Sequence, residues 1–232
     1  MTPTSPPRAR PGPRRALSER EILAAALRLL DQGGPAALSV RGVATEVGVS
    51  PNALYTYFPT KSALARALVE GLLGQVDRTT LADRSQPWRT RIEDFALTVR
   101  ALLLSHPGAV PLLLGSPYDG PNASASHEGL LEALADAGLT PEDAARAAYV
   151  IITYVLGSIA LDVAEHDPAA APLDEPARTA ARRAALTHIP PASYPRTAAS
   201  AEVIAAYNTT AQYTWGLRRL LDGLAVSVAS AR

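Results

Sequence analysis

Side chains able to do bond-making chemistry are sparse in this 232-residue chain. It has four histidines, His106, His127, His166 and His188, far apart in sequence, and no cysteine. The lack of cysteine excludes disulfide scaffolds, thiolate metal sites and thiol nucleophiles, and nothing argues for an oxidising compartment. Asp162 and His166 stand four residues apart on a predicted helix, a spacing that permits metal ligation. They fall near its C-terminal end, however, where a solvated histidine beside the negative dipole is the plainer explanation. No strand-borne glycine-rich phosphate loop and no nucleophile elbow is present. The expectation is a protein that is not an enzyme and uses no cofactor and no metal.

Residues 38–61 carry a different chemistry. They include Ser39, Arg41, Asn52, Tyr55, Tyr57 and Lys61, side chains suited to phosphate oxygens and base edges. The 22 basic and 22 acidic residues of the whole chain cancel. Residues 1–61, however, hold eight Arg or Lys against four Asp or Glu, so the positive charge collects around this segment. Two helices, Val40–Glu46 and Pro51–Tyr57, are too short to be stable alone, and Gly48 lies between them where a tight turn needs positive φ. That is helix-turn-helix spacing. Val43, Ala44, Val47, Val49 and Leu54 form the small core that fixes the crossing, which leaves the outer face of the second helix free for a major groove. Ser50 caps that helix and Pro51 opens it, with free amides pointing outward. The competing reading is a glycine-interrupted corner in a helical domain, with the tyrosine pair in its interior.

The elements that must position this segment are all helices, because apolar residues recur at three- and four-residue spacing and alternating β-branched runs are missing. The expected fold class is all-α: a three-helix helix-turn-helix unit over 17–62 and a larger helical unit over 63–232. Ser18 and Glu21 make a capping box, with Leu17 stapled on Ile22, for a first helix from Glu19 to Gln32 closed by Gly33-Gly34. Further helices are expected at Lys61–Asp83, Trp88–Ser105, Ala123–Ala137, Pro141–Glu165 and Ala201–Ser227. Residues 1–16, with five Pro and four Arg, are expected to be a disordered basic arm rather than a signal peptide. Residues 167–200 read as a mobile Pro-rich connection, helical only over Pro176–Thr187. The uncharged stretch Ala147–Leu161 is shorter than the roughly 20 residues that a bilayer needs. The expectation is a soluble, cytoplasmic protein with no membrane partner.

Residues 18–61, and above all Leu54-Tyr-Thr-Tyr-Phe-Pro-Thr-Lys61, resemble the DNA-binding domain of the tetracycline-repressor (TetR) family of bacterial transcriptional regulators. Leu104-Ser-His-Pro-Gly108, Gly138–Asp143, Val155-Leu-Gly157 and Trp215–Leu224 are similar to the regulatory domain of the TetR subgroup. The resemblance implies a ligand-responsive repressor that binds a palindromic double-stranded DNA operator as a homodimer and leaves it when a small-molecule effector binds. It implies that Arg41, Pro51, Asn52 and Ala53 face bases, while Ser39, Tyr55, Tyr57 and Lys61 hold the DNA backbone. Archetypal members have Gln-Pro-Thr where this chain has Pro51-Asn-Ala53, so a different operator is expected. The basic arm is either a further DNA contact or a solubilising tail.

The resemblance also places an effector pocket among the helices that start at Lys61, Trp88, Ala123 and Pro141. Candidate lining residues there, mostly polar or aromatic groups that interrupt apolar faces, are Phe95, Thr98, Val99, His106, Leu113, Tyr149, Thr153 and Tyr154. For His106 a cap or a satisfied core imidazole is the alternative, and for Tyr149 and Tyr154 it is core packing. Archetypal members hold a drug–Mg²⁺ chelate through a His, an Asn and a Phe at the positions of Leu113, Phe95 and Val99. The substitutions remove that chemistry and imply a more apolar, metal-free effector. The helices Pro141–Glu165 and Ala201–Ser227 would pair with their copies in a four-helix dimer interface. A DNA-binding regulator with no small-molecule effector remains the other reading.

Overall fold

The computed structural model describes residues 17–165 and 174–230, and all regular structure among them is helical. The basic arm lies outside the described residues, as does His166. Helix α1 runs over Glu19–Ala37, with the Ser18 hydroxyl accepting from the Glu21 amide at 3.2 Å and the Glu21 carboxylate accepting the Ser18 N–H at 3.0 Å. Its regular course breaks at Gly34, whose φ of 64° only glycine adopts without strain, and one further turn follows through Pro35. Helices α2 (Val40–Glu46) and α3 (Pro51–Tyr55) are capped by Ser39 and Ser50, and Gly48 turns between them at φ 72°.

Helix α4 covers Lys61–Leu73 and a short α5 covers Thr79–Ala82, so the single helix expected over Lys61–Asp83 is in fact two. Gly74 caps the first piece, and the Asp77 carboxylate accepts both the backbone N–H and the hydroxyl of Thr79. That local bond offers the backbone an alternative to continued helix. Helix α6 (Trp88–Ser105) ends where Pro107 forces His106 out of helical geometry. A tight turn at Pro107–Ala109 then leads into α7 (Val110–Gly115), which periodicity did not reveal. Helices α8 (Pro121–Asp136) and α9 (Pro141–Ala164) follow, the latter capped by Thr140 with Glu142 and Asp143 in its first turn.

Beyond residue 173, α10 (Glu175–Leu186), α11 (Pro195–Ala199), α12 (Ala201–Ala205) and α13 (Thr210–Ser230) complete the fold. The expected helix over Ala201–Ser227 divides at Tyr207-Asn-Thr209, where the Thr209 hydroxyl accepts the Gln212 amide and starts a new helix. The described part of the Pro-rich connection is tied down by Arg178 to Asp162, Arg182 to Glu165, Arg183 to Glu202 and Glu175 to the Thr210 amide.

One apolar core runs through the protein, from Ile22 and Leu30 in α1, through Leu54, Leu64 and Ile92, to Leu134, Ile159 and Leu217. Arg91 is buried within it. Its Nε donates to the Leu81 carbonyl at 2.7 Å and its Nη1 to Asp136 at 2.7 Å, which pins α5 between α6 and α8. A buried guanidinium is tolerable only when its donors are met in this way.

Candidate DNA-reading face and effector cavity

Capping and burial together set the presentation of the helix-turn-helix. Val43, Ala44 and Leu54 are fully buried between α2, α3 and α1, so the opposite side of α3 faces solvent. Ser39, Arg41, Pro51, Asn52, Tyr55, Tyr57 and Lys61 are all exposed, and Ala53 is half-buried. The Arg41 guanidinium and the Asn52 amide make no hydrogen bond to the described residues. The other polar groups are partly committed: the Ser39 hydroxyl accepts from the Gly42 amide at 3.0 Å, and Lys61 Nζ donates to the Pro35 carbonyl at 3.4 Å. The Tyr57 hydroxyl donates to the Leu17 carbonyl at 2.5 Å, so it holds the start of α1 against α3.

Four contacts join α1 and α4 to the rest of the protein. His106 Nδ1 lies 2.9 Å from the Asp31 carboxylate. Gly108 sits so close to α1 that a Cβ there would be 2.0 Å from the Leu30 carbonyl oxygen. On α4, Arg66 pairs with Asp119 at 2.7 Å, and Glu70 accepts the backbone N–H groups of Asn122 at 2.9 Å and Ala123 at 3.1 Å. A carboxylate in that position satisfies donors that a helix N-terminus otherwise leaves open. Glu70 therefore caps α8 from another helix.

A cavity of about 440 Å³ lies where α4, α6, α7, α8 and α9 converge. Its wall is Leu73, Val76, Ile92, Phe95, Ala96, Val99, Leu113, Tyr118, Ala123, Ser126, His127, Leu130, Tyr149, Ile151, Ile152, Val155 and Leu156. Few polar atoms interrupt it. The Tyr118 hydroxyl donates to the Leu113 carbonyl at 2.8 Å, and burial pushes its pKa up, so it stays protonated. The Ser126 hydroxyl is buried with no partner among the described residues. A water or a ligand with a hydrogen-bonding group would supply the missing partner.

Of the sequence candidates, Phe95, Val99, Leu113 and Tyr149 lie on this wall. Thr98, His106, Thr153 and Tyr154 do not. The Thr98 hydroxyl donates to the Asp94 carbonyl within its own helix, His106 faces Asp31, and Thr153 points to solvent. Tyr154 donates to the Tyr213 carbonyl at 2.8 Å and belongs to a different cavity. Sequence reasoning missed Tyr118, Ser126 and His127. The register of α8 carries a usable signal for the last two, since Ser126 and His127 fall on the stripe set by the buried Ala123 and Leu130.

Residues 22–68 match the family described as "Bacterial regulatory proteins, tetR family", and residues 82–228 match "Tetracyclin repressor-like, C-terminal domain". The chain belongs to the TetR family of transcriptional regulators. Among TetR-family relatives, an HTH-type transcriptional regulator of Saccharopolyspora erythraea is 34% identical over 147 residues, which span 63% of this chain and 61% of that protein. The HTH-type transcriptional repressor DrrR1 of Streptomyces coeruleorubidus is 28% identical over 95% of this chain and 82% of its own length. A crystal structure of a possible TetR family transcriptional regulator from Streptomyces coelicolor A3(2) superposes with a TM-score of 0.77 at 32% identity, covering 90% of this chain and 98% of the other. The all-α class and the N-terminal helix-turn-helix expected of a TetR protein are both present.

Proposed function

We propose that the protein is a repressor that binds a palindromic operator as a homodimer and is released by an uncharged, largely apolar effector that needs no metal. Residues 17–62 act as the reading head and 63–232 as the sensing and pairing unit. Its action is binding and not catalysis. The observation that carries the reading is a 440 Å³ apolar cavity whose roof, α8, is capped by Glu70 of α4, the helix that directly follows the reading head. An effector that shifts α8 moves the anchor of α4. Effector and operator then oppose each other reciprocally, through one coupling free energy typically of about 1–3 kcal/mol.

The homodimer is supported by α9. This helix is apolar along most of its length, yet most of that stretch is left uncovered within one copy of the chain. Val150, Leu161, Trp215 and Val226 are exposed on α9 and α13, and nothing lies within 4 Å of where a Cβ on Gly157 would be. A second copy laid across these helices covers that face, and twofold symmetry spaces two reading helices for half-sites about one DNA turn apart. The phosphate-holding roles go to Ser39, Tyr55 and Lys61, and the base-facing ones to Arg41, Pro51, Asn52 and Ala53; Tyr57, whose one hydroxyl proton goes to the Leu17 carbonyl, would hold a phosphate only by giving up that bond. On the cavity wall, Phe95, Val99 and Leu113 supply no metal ligand.

The test is a thermal-shift screen of the full chain against uncharged hydrophobic metabolites, with each hit then added to the protein–operator complex. Release of DNA by a stabilising compound supports the proposal. A stabilising compound that leaves operator affinity unchanged removes the effector part of it.

A further inference from the structure

A second cavity, about 390 Å³, opens between α6, α9 and the start of α13, and its chemistry is opposite to that of the first. Arg100 lines it. The Arg100 side chain is only 4% exposed, and its Nη2 donates to Asp162 at 2.7 Å. The same carboxylate accepts from Arg178 at 2.9 Å, so two guanidinium groups share one anion. Arg100 Nε is buried and has no hydrogen-bond partner among the described residues. Farther out, Arg182 holds Glu165 at 3.0 Å while its Nε and Nη2 are buried with no partner among the described residues, and Glu165 accepts from Asn208 on the cavity wall.

The rest of the wall fits a small planar anion. The Tyr213 ring lies 5.1 Å from the Arg100 guanidinium and is stacked on Tyr154 at 5.8 Å. Both tyrosine hydroxyls are spent on carbonyls, Tyr154 on that of Tyr213 and Tyr213 on that of Ala96. They fix the rings, with Ser158 beside the Tyr154 hydroxyl, and leave recognition to Arg100 and Gln212. A guanidinium with an unmet N–H beside the half-buried Tyr154 ring matches a carboxylate on a flat body, because the anion supplies the missing acceptor and Tyr154 covers part of the remainder, while Tyr213, buried between Arg100 and Tyr154, backs the site.

We propose that this cavity is a second ligand site, which takes a small aromatic carboxylate and is separate from the apolar cavity. It stands whether or not the apolar cavity receives an effector. The test uses benzoate as the probe and benzyl alcohol as its neutral counterpart, titrated calorimetrically into the full chain at matched ionic strength. Three variants accompany the wild type, each checked by circular dichroism melting. Ser158→Leu fills the second cavity without touching the ion pairs, Arg100→Lys keeps a cation opposite Asp162 but removes the planar fork, and Leu130→Phe fills only the apolar cavity.

The expected result is saturable benzoate binding at least about tenfold tighter than that of benzyl alcohol, lost in S158L and R100K and kept in L130F. If R100K fails to fold, S158L decides. Equal binding of the two probes overturns the proposal. So does benzoate binding that persists in S158L and disappears in L130F, since the anion would then occupy the apolar cavity.

Discussion

The carboxylate of Glu70, on α4, accepts the backbone N–H of Asn122, the second residue of α8, at 2.9 Å. The contact is close enough that a Cβ at position 120 would lie 2.1 Å from Glu70 Cδ, so a larger residue there displaces this carboxylate from its cap. The helix behind the reading head and the helix that carries Ser126 and His127 therefore share one carboxylate. Glu70→Ala is expected to cost about 1 kcal/mol in unfolding free energy through the lost cap. It should leave operator affinity without effector nearly unchanged and reduce the effector-induced loss of affinity. Urea unfolding and fluorescence anisotropy on labelled operator measure the two effects separately.

Gly108 provides a second check on the packing between the two parts. With the Leu30 carbonyl 2.0 Å from the position of an added Cβ, Gly108→Ala must push the Pro107–Ala109 turn off α1. Overpacking of this kind costs about 1–3 kcal/mol. The expected outcome is a lower melting temperature, together with weaker retention of the His106–Asp31 contact, visible in the imidazole resonances.

Arg91 links stability to pH. Its hydrogen bond is the main cause that holds the Asp136 carboxyl below its ordinary range, with the charges of Arg84 and Arg91 adding to it. A carboxyl lowered in the folded state stabilises the fold above its unfolded pKa, and that contribution disappears as pH falls through the folded value. Arg91→Met should destabilise the protein by about 1–3 kcal/mol near neutral pH, because it removes hydrogen bonds to the Leu81 carbonyl and to Asp136, which stays partly exposed and paired with Arg84. It should also flatten the decline in stability below about pH 4. Unfolding midpoints in urea across the acid range test both points.

Tyr57 separates folding from DNA reading. Because its hydroxyl donates to the Leu17 carbonyl, Tyr57→Phe is expected to lower stability by about 1 kcal/mol. It should weaken operator and non-operator DNA by the same small factor. A selective loss of operator binding in filter or anisotropy assays would contradict this.

Much of the frame was legible because capping chemistry is local. Ser18 with Glu21, Ser39, Ser50 and Thr140 each announce a helix start, and Pro107 announces the end of α6. What sequence periodicity misjudged were continuities. Apolar spacing runs on through Gly74–Arg78 and Ala206–Thr209, but the Asp77 and Thr209 side chains capture backbone amides and restart the helix. The cavity was legible by half for a similar reason. Val99 and Thr98 are neighbours on α6, yet a helix turns successive residues by about 100°, so one meets the cavity and the other does not. The partners of His106 and Tyr154 are 75 and 59 residues away in sequence, and no local pattern reports a contact of that span.

Selection of bound DNA from a randomised duplex pool with the 232-residue chain, in parallel with Arg41→Ala and Asn52→Ala, decides whether the helix-turn-helix reads a twofold site. The expected result is an enriched inverted repeat with half-sites about one helical turn apart, and a loss of about 1–3 kcal/mol with relaxed preference at one base position for each variant. Enrichment of no inverted repeat, or of the same repeat with equal affinity by both variants, would contradict it.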